Sequence, residues 1–422
     1  TTWSEFDRYR QVGAIARALL VQAAAQRLGV DPAACRTENG AVIAGDRRLR
    51  YGEIANDAAQ LPAPASVALK DPKDWKVIGQ PTRRLDTPEK IDGRAVFGLD
   101  VRFDGLLTAV VARSPVFGGK VKSFDASAAM AVPGVRKVVQ VPSGVAVVAE
   151  HFWAARQGRE ALKVDWDLGP GATLDTGAML AEFRKLATAD GKVAATAGDA
   201  PGTLAKAGKV IEVEYVAPYL AHAPMEPLNA TVRIGADGCD IWTGTQMQTM
   251  EQVTAAAITG LKPEQVRIHT TFLGGGFGRR ATPSCDWVSE AVHVAKAAGT
   301  AVKTVWSRED DVRGGYYRPM VVHRIRAALG GDGLPQGWDH TVVCQSVLAG
   351  SPFEAMIPKN GVDPASVEGA ADSPYLKAIP NHRVQLQDYR APVPVLWWRS
   401  VGHSHTAFAM ESMVDELARA AG

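Results

Sequence analysis

The segment that most restricts the fold is Val266-Arg267-Ile268-His269-Thr270-Thr271-Phe272-Leu273-Gly274-Gly275-Gly276-Phe277-Gly278-Arg279-Arg280. Val266, Ile268 and Thr270 alternate with the period of a half-buried strand, and β-branched residues suit that pleated surface. Four glycines in five positions then free the backbone to take positive φ and to bring N–H groups against a ligand with no side chain between. Beyond them Trp287, Val288, Ala291, Val292 and Ala295 recur at helical spacing, with Ser284 as the expected N-cap and Gly299 as the stop. The order is therefore strand, glycine loop, helix. No known phosphate motif accounts for it: no Gly-Lys-Ser/Thr follows, and Arg279 stands where G-x-G-x-x-G needs its last glycine. Taken alone, the cluster serves a flexible turn as well as a binding loop.

The same plan occurs a little earlier. Cys239 to Gln246 reads as a strand running into a loop, and Thr249 with Gln252 forms an expected capping box for a helix that ends at Gly260. Gln246 and Gln248 then sit at a strand's end beside a helix N-terminus. Two such loops on neighbouring strands can converge on one ligand with amides and dipoles in place of charge. Upstream, Ala223-Pro224-Met225-Glu226-Pro227 fixes a glutamate between two prolines. The rigid turn assigns Glu226 a structural hydrogen-bonding role first.

Near the end, Trp397-Trp398-Arg399-Ser400-Val401-Gly402-His403-Ser404-His405 gathers two tryptophans, an arginine and two histidines. A metal on His403 and His405 would need further ligands, and the sequence offers no partner for them. The four cysteines, Cys35, Cys239, Cys285 and Cys344, are scattered without a C-x-x-C, so they read as buried thiols that hold neither a cluster nor zinc.

A chain of 422 residues exceeds one typical core, so two or three domains are expected. A formal net charge of +2 gives no argument for nucleic acid as a partner. Residues 4 to 28 read as one long helix capped by Ser4 and ended by Gly29, and Pro62, Pro64 and Pro72 mark a linker. From 79 to 169, strands at 95–97, 106–111, 135–141 and 145–149 interleave with helices at 125–130 and 152–161 as an α+β unit. Residues 170 to 209, rich in Ala, Gly and Thr, read as an exposed connection, and 210 to 422 hold the glycine loop. The chain opens at Thr1 without a methionine or signal pattern and closes on a helix, so both ends are expected to be cuts inside a longer protein, with residues 1 to 78 continuing a truncated domain.

With these loops in place, the chain resembles the molybdopterin-binding large subunit of the molybdenum hydroxylase (xanthine dehydrogenase/aldehyde oxidase) family, and most of all the isoquinoline 1-oxidoreductase β-subunits and their membrane-associated aldehyde dehydrogenase relatives. The residues that carry this are Ala221-His222-Ala223-Pro224-Met225-Glu226-Pro227-Leu228-Asn229-Ala230-Thr231, Thr243-Gly244-Thr245-Gln246, the glycine loop through Arg280, and Trp397-Trp398-Arg399-Ser400-Val401-Gly402. The resemblance implies an α/β-hammerhead domain at 79–169 and an incomplete molybdopterin-binding domain at 210–422, in an α+β fold. It implies molybdopterin cytosine dinucleotide held by backbone amides and glutamine, with molybdenum bound by the pterin and by no protein atom.

Position by position, it puts Gln246 beside the molybdenum's oxygen ligand and the Gly278 amide, after Phe277, on the apical oxo group. Gly274, Gly275 and Gly276 shape that loop. Arg399, followed by Ser400, stands at the rim of the metal site, so that Gln246 and Arg399 are the catalytic candidates. Trp398 walls the substrate pocket, with Trp397, His403 and His405 as lesser candidates.

Arg279-Arg280-Ala281 replaces the Gly-Lys-Glu of xanthine-oxidising relatives, which disfavours purines. The family's C-terminal Gly-x-Gly-Glu motif and its Met-Gly-Gln-Gly-type cofactor loop do not occur in these residues, so this chain alone is expected to be inactive. The activity implied is hydroxylation of an electron-poor carbon in an N-heteroaromatic ring, with water as oxygen source. An aldehyde oxidoreductase and a catalytically silent cofactor-binding fragment are the alternatives. Partners implied are a small iron–sulfur subunit carrying 2Fe-2S clusters, a cytochrome c as electron acceptor and a small-molecule substrate. Many relatives are exported on a twin-arginine signal, which would precede Thr1 and would imply a periplasmic or membrane-associated location.

Overall fold

The computed structural model describes residues 2–422, with side chains from Ser4 onward. Two compact units divide the chain, Thr1–Gly93 and Arg94–Gly422. In the first, a helix over Thr2–Leu28 packs on a three-stranded antiparallel sheet (Arg36–Glu38, Ala41–Ala44, Arg47–Arg50) and a helix over Tyr51–Ala59. Ala23, Ala24, Val42, Ile54 and Ala58 form its small core. Gly29 takes φ +63° and stops the long helix, as its position suggests, but Ser4 lies inside that helix and not at its cap. No helix among the described residues is long and apolar enough to cross a membrane.

The second unit is built on a mixed seven-stranded sheet. Its strands are β1 (Leu107–Ala112), β2 (Val135–Val141), β3 (Gly144–Ala149), β4 (Asn229–Gly235), β5 (Gly238–Thr243), β6 (Val266–Thr270) and β7 (Val302–Val305). They lie in the order β6-β5-β4-β7-β1-β3-β2. β7 pairs in parallel with β1, so the segments 79–169 and 210–422 share one sheet, and the two compact units divide at Gly93. The second unit's helices include α1 (Phe152–Ala161), α2 (Gln248–Thr259), α3 (Asp286–Ala298) and α4 (His403–Ala421). Alternation sorts the sheet's two faces. Val232, Cys239, Ile241 and Val266 meet Trp287, Val288 and Ala291 of α3 on one side, while Val110 and Val147 meet Ala154 and Ala155 of α1 on the other.

A five-stranded sheet runs Val210–Ala217, Val321–Leu329, Pro335–Cys344, Asn381–Asp388, Lys192–Ala197, and α4 packs on it through Ala409, Met410, Met413 and Leu417. Residues 170 to 209 are not an exposed connection. They hold a helix over Thr176–Leu186, the edge strand Lys192–Ala197 and a helix over Ala200–Lys206. Met179, Phe183 and Leu204 are buried there, and three apolar anchors on helical faces outweigh the small, polar residues around them. The expected strand at 95–97 is reduced to one bridge from Phe97 to Phe272.

Candidate functional site

β5 and β6 are parallel neighbours, with Thr243 opposite Thr270 as their last pair, so the loops that follow them leave the same end of the sheet side by side. Crevices at the carboxyl ends of parallel strands are where ligands are met by loop amides. The first loop is Gly244-Thr245-Gln246 and the second runs from Phe272 to Gly278. Two of the four glycines, Gly274 and Gly278, are closed in by fixed atoms, and a third, Gly276, by the end of a flexible side chain. A Cβ at Gly274 would stand 2.3 Å from the Cβ of Glu226, at Gly276 2.5 Å from Oε1 of Gln246, and at Gly278 2.5 Å from the carbonyl of Trp397.

One buried ion pair fastens these loops together. Arg280 is fully buried; its Nε donates to the Gly275 carbonyl at 2.9 Å, Nη1 to the Gly244 carbonyl at 2.9 Å, and Nη2 to the carbonyl and Oε2 of Glu226 at 3.1 and 3.2 Å. Glu226 in turn accepts at Oε1 from the Leu99 amide (3.1 Å) and Asn229 Nδ2 (3.0 Å), and at Oε2 from the Gly274 amide (3.1 Å). The structural role expected for Glu226 is therefore present in full: its carboxylate oxygens take four donors between them. Burial pulls Arg280 below the ordinary guanidinium value while Glu226 opposes it.

On this frame the Gly278 amide donates to Oε1 of Gln246 at 3.2 Å, and the Gln246 amide donates to the Arg280 carbonyl at 2.9 Å. Gln246 is exposed, and its side-chain Nε2 is free to donate outward. The amides of Gly275, Gly276 and Phe277 donate to no group among the described residues. Phe277 holds φ +56°, and its carbonyl accepts from the Arg399 amide at 2.7 Å, which brings the 397–400 segment against the loop. Arg399 (φ +37°) and Ser400 are exposed, and the Arg399 guanidinium has no carboxylate partner among the described residues. Non-glycine residues at positive φ carry strain that the surrounding contacts must hold. The set offers neutral donors and a free cation, and no anionic ligand side chain. Such a set suits a group that brings its own metal ligands and presents oxygen atoms, so the residues present fit a pterin-held metal.

The remaining expected residues divide. Trp397 backs onto Gly278 and stacks edge-on with Phe353 at 5.7 Å. Trp398 is half-buried; its ring meets His222 edge-on at 6.3 Å and Arg318 at 5.9 Å, and its indole N–H is buried without a partner. His403 is exposed at the start of α4 with Nδ1 3.7 Å from Glu368 and is not brought to the loops. His405 turns inward instead. Its Nδ1 lies 3.0 Å from His323 Nε2, and His323 Nδ1 lies 2.9 Å from His340 Nε2, a buried file of three imidazoles. His323 uses opposite ring nitrogens for its two neighbours, so one ion cannot bind all three.

Sequence reasoning missed Arg280, His222 and Glu251. The two adjacent arginines directly after the glycines were the available signal for the first. His222 Nε2 lies 3.0 Å from the Trp397 carbonyl, and burial lowers its pKa. Glu251, wholly buried in the first turn of α2, accepts from Thr245 Oγ at 2.6 Å, and burial raises its carboxyl to about 8. Two expected caps also differ. The helix α3 starts after Cys285 at φ +49°, and Ser284 bonds Tyr316. For α2, Thr245 accepts from the Met247 amide, while Gln252 reaches the Val266 carbonyl.

The molybdopterin cofactor-binding domain family matches residues 185–422, more than half of the chain. The chain belongs to this family. The β-subunit of isoquinoline 1-oxidoreductase from Brevundimonas diminuta is 33% identical over 99% of this chain and 59% of that protein. A nicotinate dehydrogenase chain of Pseudomonas putida is 28% identical over 98% of this chain and 36% of its own length. Among solved structures, quinoline 2-oxidoreductase from Pseudomonas putida 86 superposes with a TM-score of 0.63 at 17% identity, over 81% of this chain and 48% of that one. The aldehyde oxidoreductase from Desulfovibrio desulfuricans gives 0.63 at 19% identity over 85% and 44%. The chain thus spans roughly half the length of these relatives, and the α+β fold is the one they share.

Proposed function

We propose that this member of the molybdopterin cofactor-binding family forms the cofactor-holding part of an oxidoreductase that hydroxylates an N-heteroaromatic, isoquinoline-like substrate with water. The observation that carries the reading is the pairing of Gln246 with the Gly278 amide at 3.2 Å, on two loops that Arg280 fastens together beside free amides at 275–277. When bound, the pterin-held molybdenum would supply the two-electron redox centre. The chain's own residues would hold that group and shape the substrate pocket. Gln246 and Gly278 would hold oxygen atoms of that group by neutral hydrogen bonds, without reorganising. Arg399 would stabilise negative charge growing on the substrate, and Trp397 and Trp398 would present flat apolar surface to a planar ring. We further propose molybdopterin cytosine dinucleotide as the cofactor, and 2Fe-2S clusters on a separate small subunit with a cytochrome c beyond it as the electron path, since the cysteines here are dispersed.

The test is elemental and pterin-nucleotide analysis of the protein made in cells that synthesise the cofactor. We expect about one molybdenum per chain, and loss of most of it in Gln246→Ala. A metal-free wild-type chain, or metal content untouched by Gln246→Ala, would remove the reading. In the complete enzyme that contains these residues, with its iron–sulfur subunit, isoquinoline and benzaldehyde as alternative substrates separate ring hydroxylation from aldehyde oxidation. Turnover of the aldehyde alone would replace the proposed substrate class.

A further inference from the structure

We propose that a second cleft, lined by no residue of the glycine loop, binds an aromatic carboxylate. It opens on the face of the seven-stranded sheet turned away from α2 and α3, with a volume of about 730 Å³. That size falls within the roughly 300–1,000 Å³ of small-molecule sites. α1 covers this face over β1 and β3, and the cleft lies beside it, over β7 and the start of β1. Phe103, Phe152 and Trp306 supply apolar walls, and Lys303 of β7 stands on the floor with Arg102 at the rim.

Lys303 is the unusual member. It sits on a central strand at 8% exposure, and its ammonium donates to the Leu99 carbonyl at 2.6 Å, yet no carboxylate comes within ion-pair distance of it among the described residues. Asp100, the carboxylate that acts on it from further off, already accepts from the Phe97 amide. Arg102 is exposed, pairs with nothing among the described residues, and repels Lys303. The rim's other charges are engaged with each other or with residues outside the cleft. Arg308 holds Asp311 at 2.7 Å, Arg156 holds Glu160 at 3.0 Å and faces Glu309, and Glu150 pairs with Arg136. Burial without a counter-ion disfavours the charged ammonium and lowers its pKa. Here the missing partner is an anion, and the aromatic walls require that anion to carry a flat apolar body.

The bland account is that Lys303 only clamps the Leu99 carbonyl, and binding decides between the two. The full chain is titrated calorimetrically with 2-naphthoate and, in parallel, with 2-naphthalenemethanol and inorganic phosphate. Since the readout is heat of binding, neither molybdenum nor turnover enters it. We expect naphthoate to bind at least about tenfold more tightly than the alcohol or phosphate, which is the size of one charge-assisted hydrogen bond. Lys303→Met should weaken naphthoate about tenfold or more, and the exposed Arg102→Ala, whose fold is not at risk, several-fold with unchanged melting temperature. No heat with naphthoate, equal affinity for the alcohol or for phosphate, or naphthoate affinity unchanged in both variants would overturn the assignment.

Discussion

The Glu226–Arg280 pair and the His340–His323–His405 file are both buried in the Arg94–Gly422 unit, yet one is charged and closed and the other neutral and open-ended. Arg280 and Glu226 together meet backbone groups of Gly244, Gly274 and Gly275 in loops and of Leu99 in a single 3-10 turn. These positions lie outside every strand and α-helix, so fixed side-chain donors and acceptors stand in for ladder partners. The histidines sit on two paired strands and on α4, whose backbone bonds are already made. They bond only to one another, and Nδ1 of His340 is left without a partner. Charge is thus placed where loop geometry has to be enforced, and neutral polarity is tolerated where regular elements already enforce it.

The sharpest way to break this contrast is Arg280→Met. It strands a buried carboxylate and three loop carbonyls, so we expect a loss of about 3–5 kcal/mol, or a melting temperature lower by roughly ten degrees by circular dichroism. A loss under about 1 kcal/mol would mean the loops hold without the ion pair.

His323→Phe should cost less, about 1–3 kcal/mol at pH 7, because no ion is left unpaired. Its effect should also depend on pH. Burial lowers the His323 pKa to about 3, against an ordinary value near 6.5, so the unfolded chain takes the proton first and stability falls as pH drops through that window. With the imidazole gone, that part of the acid loss disappears, and melting curves from pH 7 to 4 should be flatter for the variant. Equal slopes would show that His323 does not stay neutral.

Glu251 tests the opposite limb. Its carboxyl is raised to about 8 by burial, so the folded state keeps a proton that the unfolded state has released, and stability falls as pH rises from about 4.5 through 8. Glu251→Gln keeps the acceptor for Thr245 and removes the titration. We expect the variant to match the wild type near pH 5 and to melt a few degrees higher at pH 9. A constant difference between the two across that range would place the charge elsewhere.

What could be read from the sequence was what is local. Gly260 and Gly299 end their helices at positive φ, Gln246 lies at the end of β5, and the loop after β6 meets it, because strand period, cap and turn chemistry act within a few residues. The hub was not legible in the same way. Arg280 reaches carbonyls 36 and 54 positions away, and His405 meets His323 across 82, distances over which no periodicity speaks. Ser284 was expected as a cap on type alone, and tertiary contact with Tyr316 took its hydroxyl instead. Residues 170–209 misled through composition, since Met179 and Phe183 bury a segment whose average looks like a linker.

The finest test of the contrast lies two residues apart in the glycine loop. At Gly274 an added Cβ meets the Glu226 Cβ and, at 3.2 Å, its backbone nitrogen, so Gly274→Ala must push the ionic hub itself. At Gly276 the obstacle is Oε1 of Gln246, the far end of an exposed, flexible side chain that can swing aside. Gly276→Ala should therefore change the melting temperature least of all, within about 1 kcal/mol. It should nonetheless free the Gly278 amide from its partner and, on the proposed function, lower molybdenum content as Gln246→Ala does. Equal melting losses at both positions would mean that the loop is rigid as a whole and that Gln246 is as firmly built in as Glu226. A stable Gly276→Ala protein with full molybdenum would mean instead that the Gln246–Gly278 pairing does not hold the cofactor.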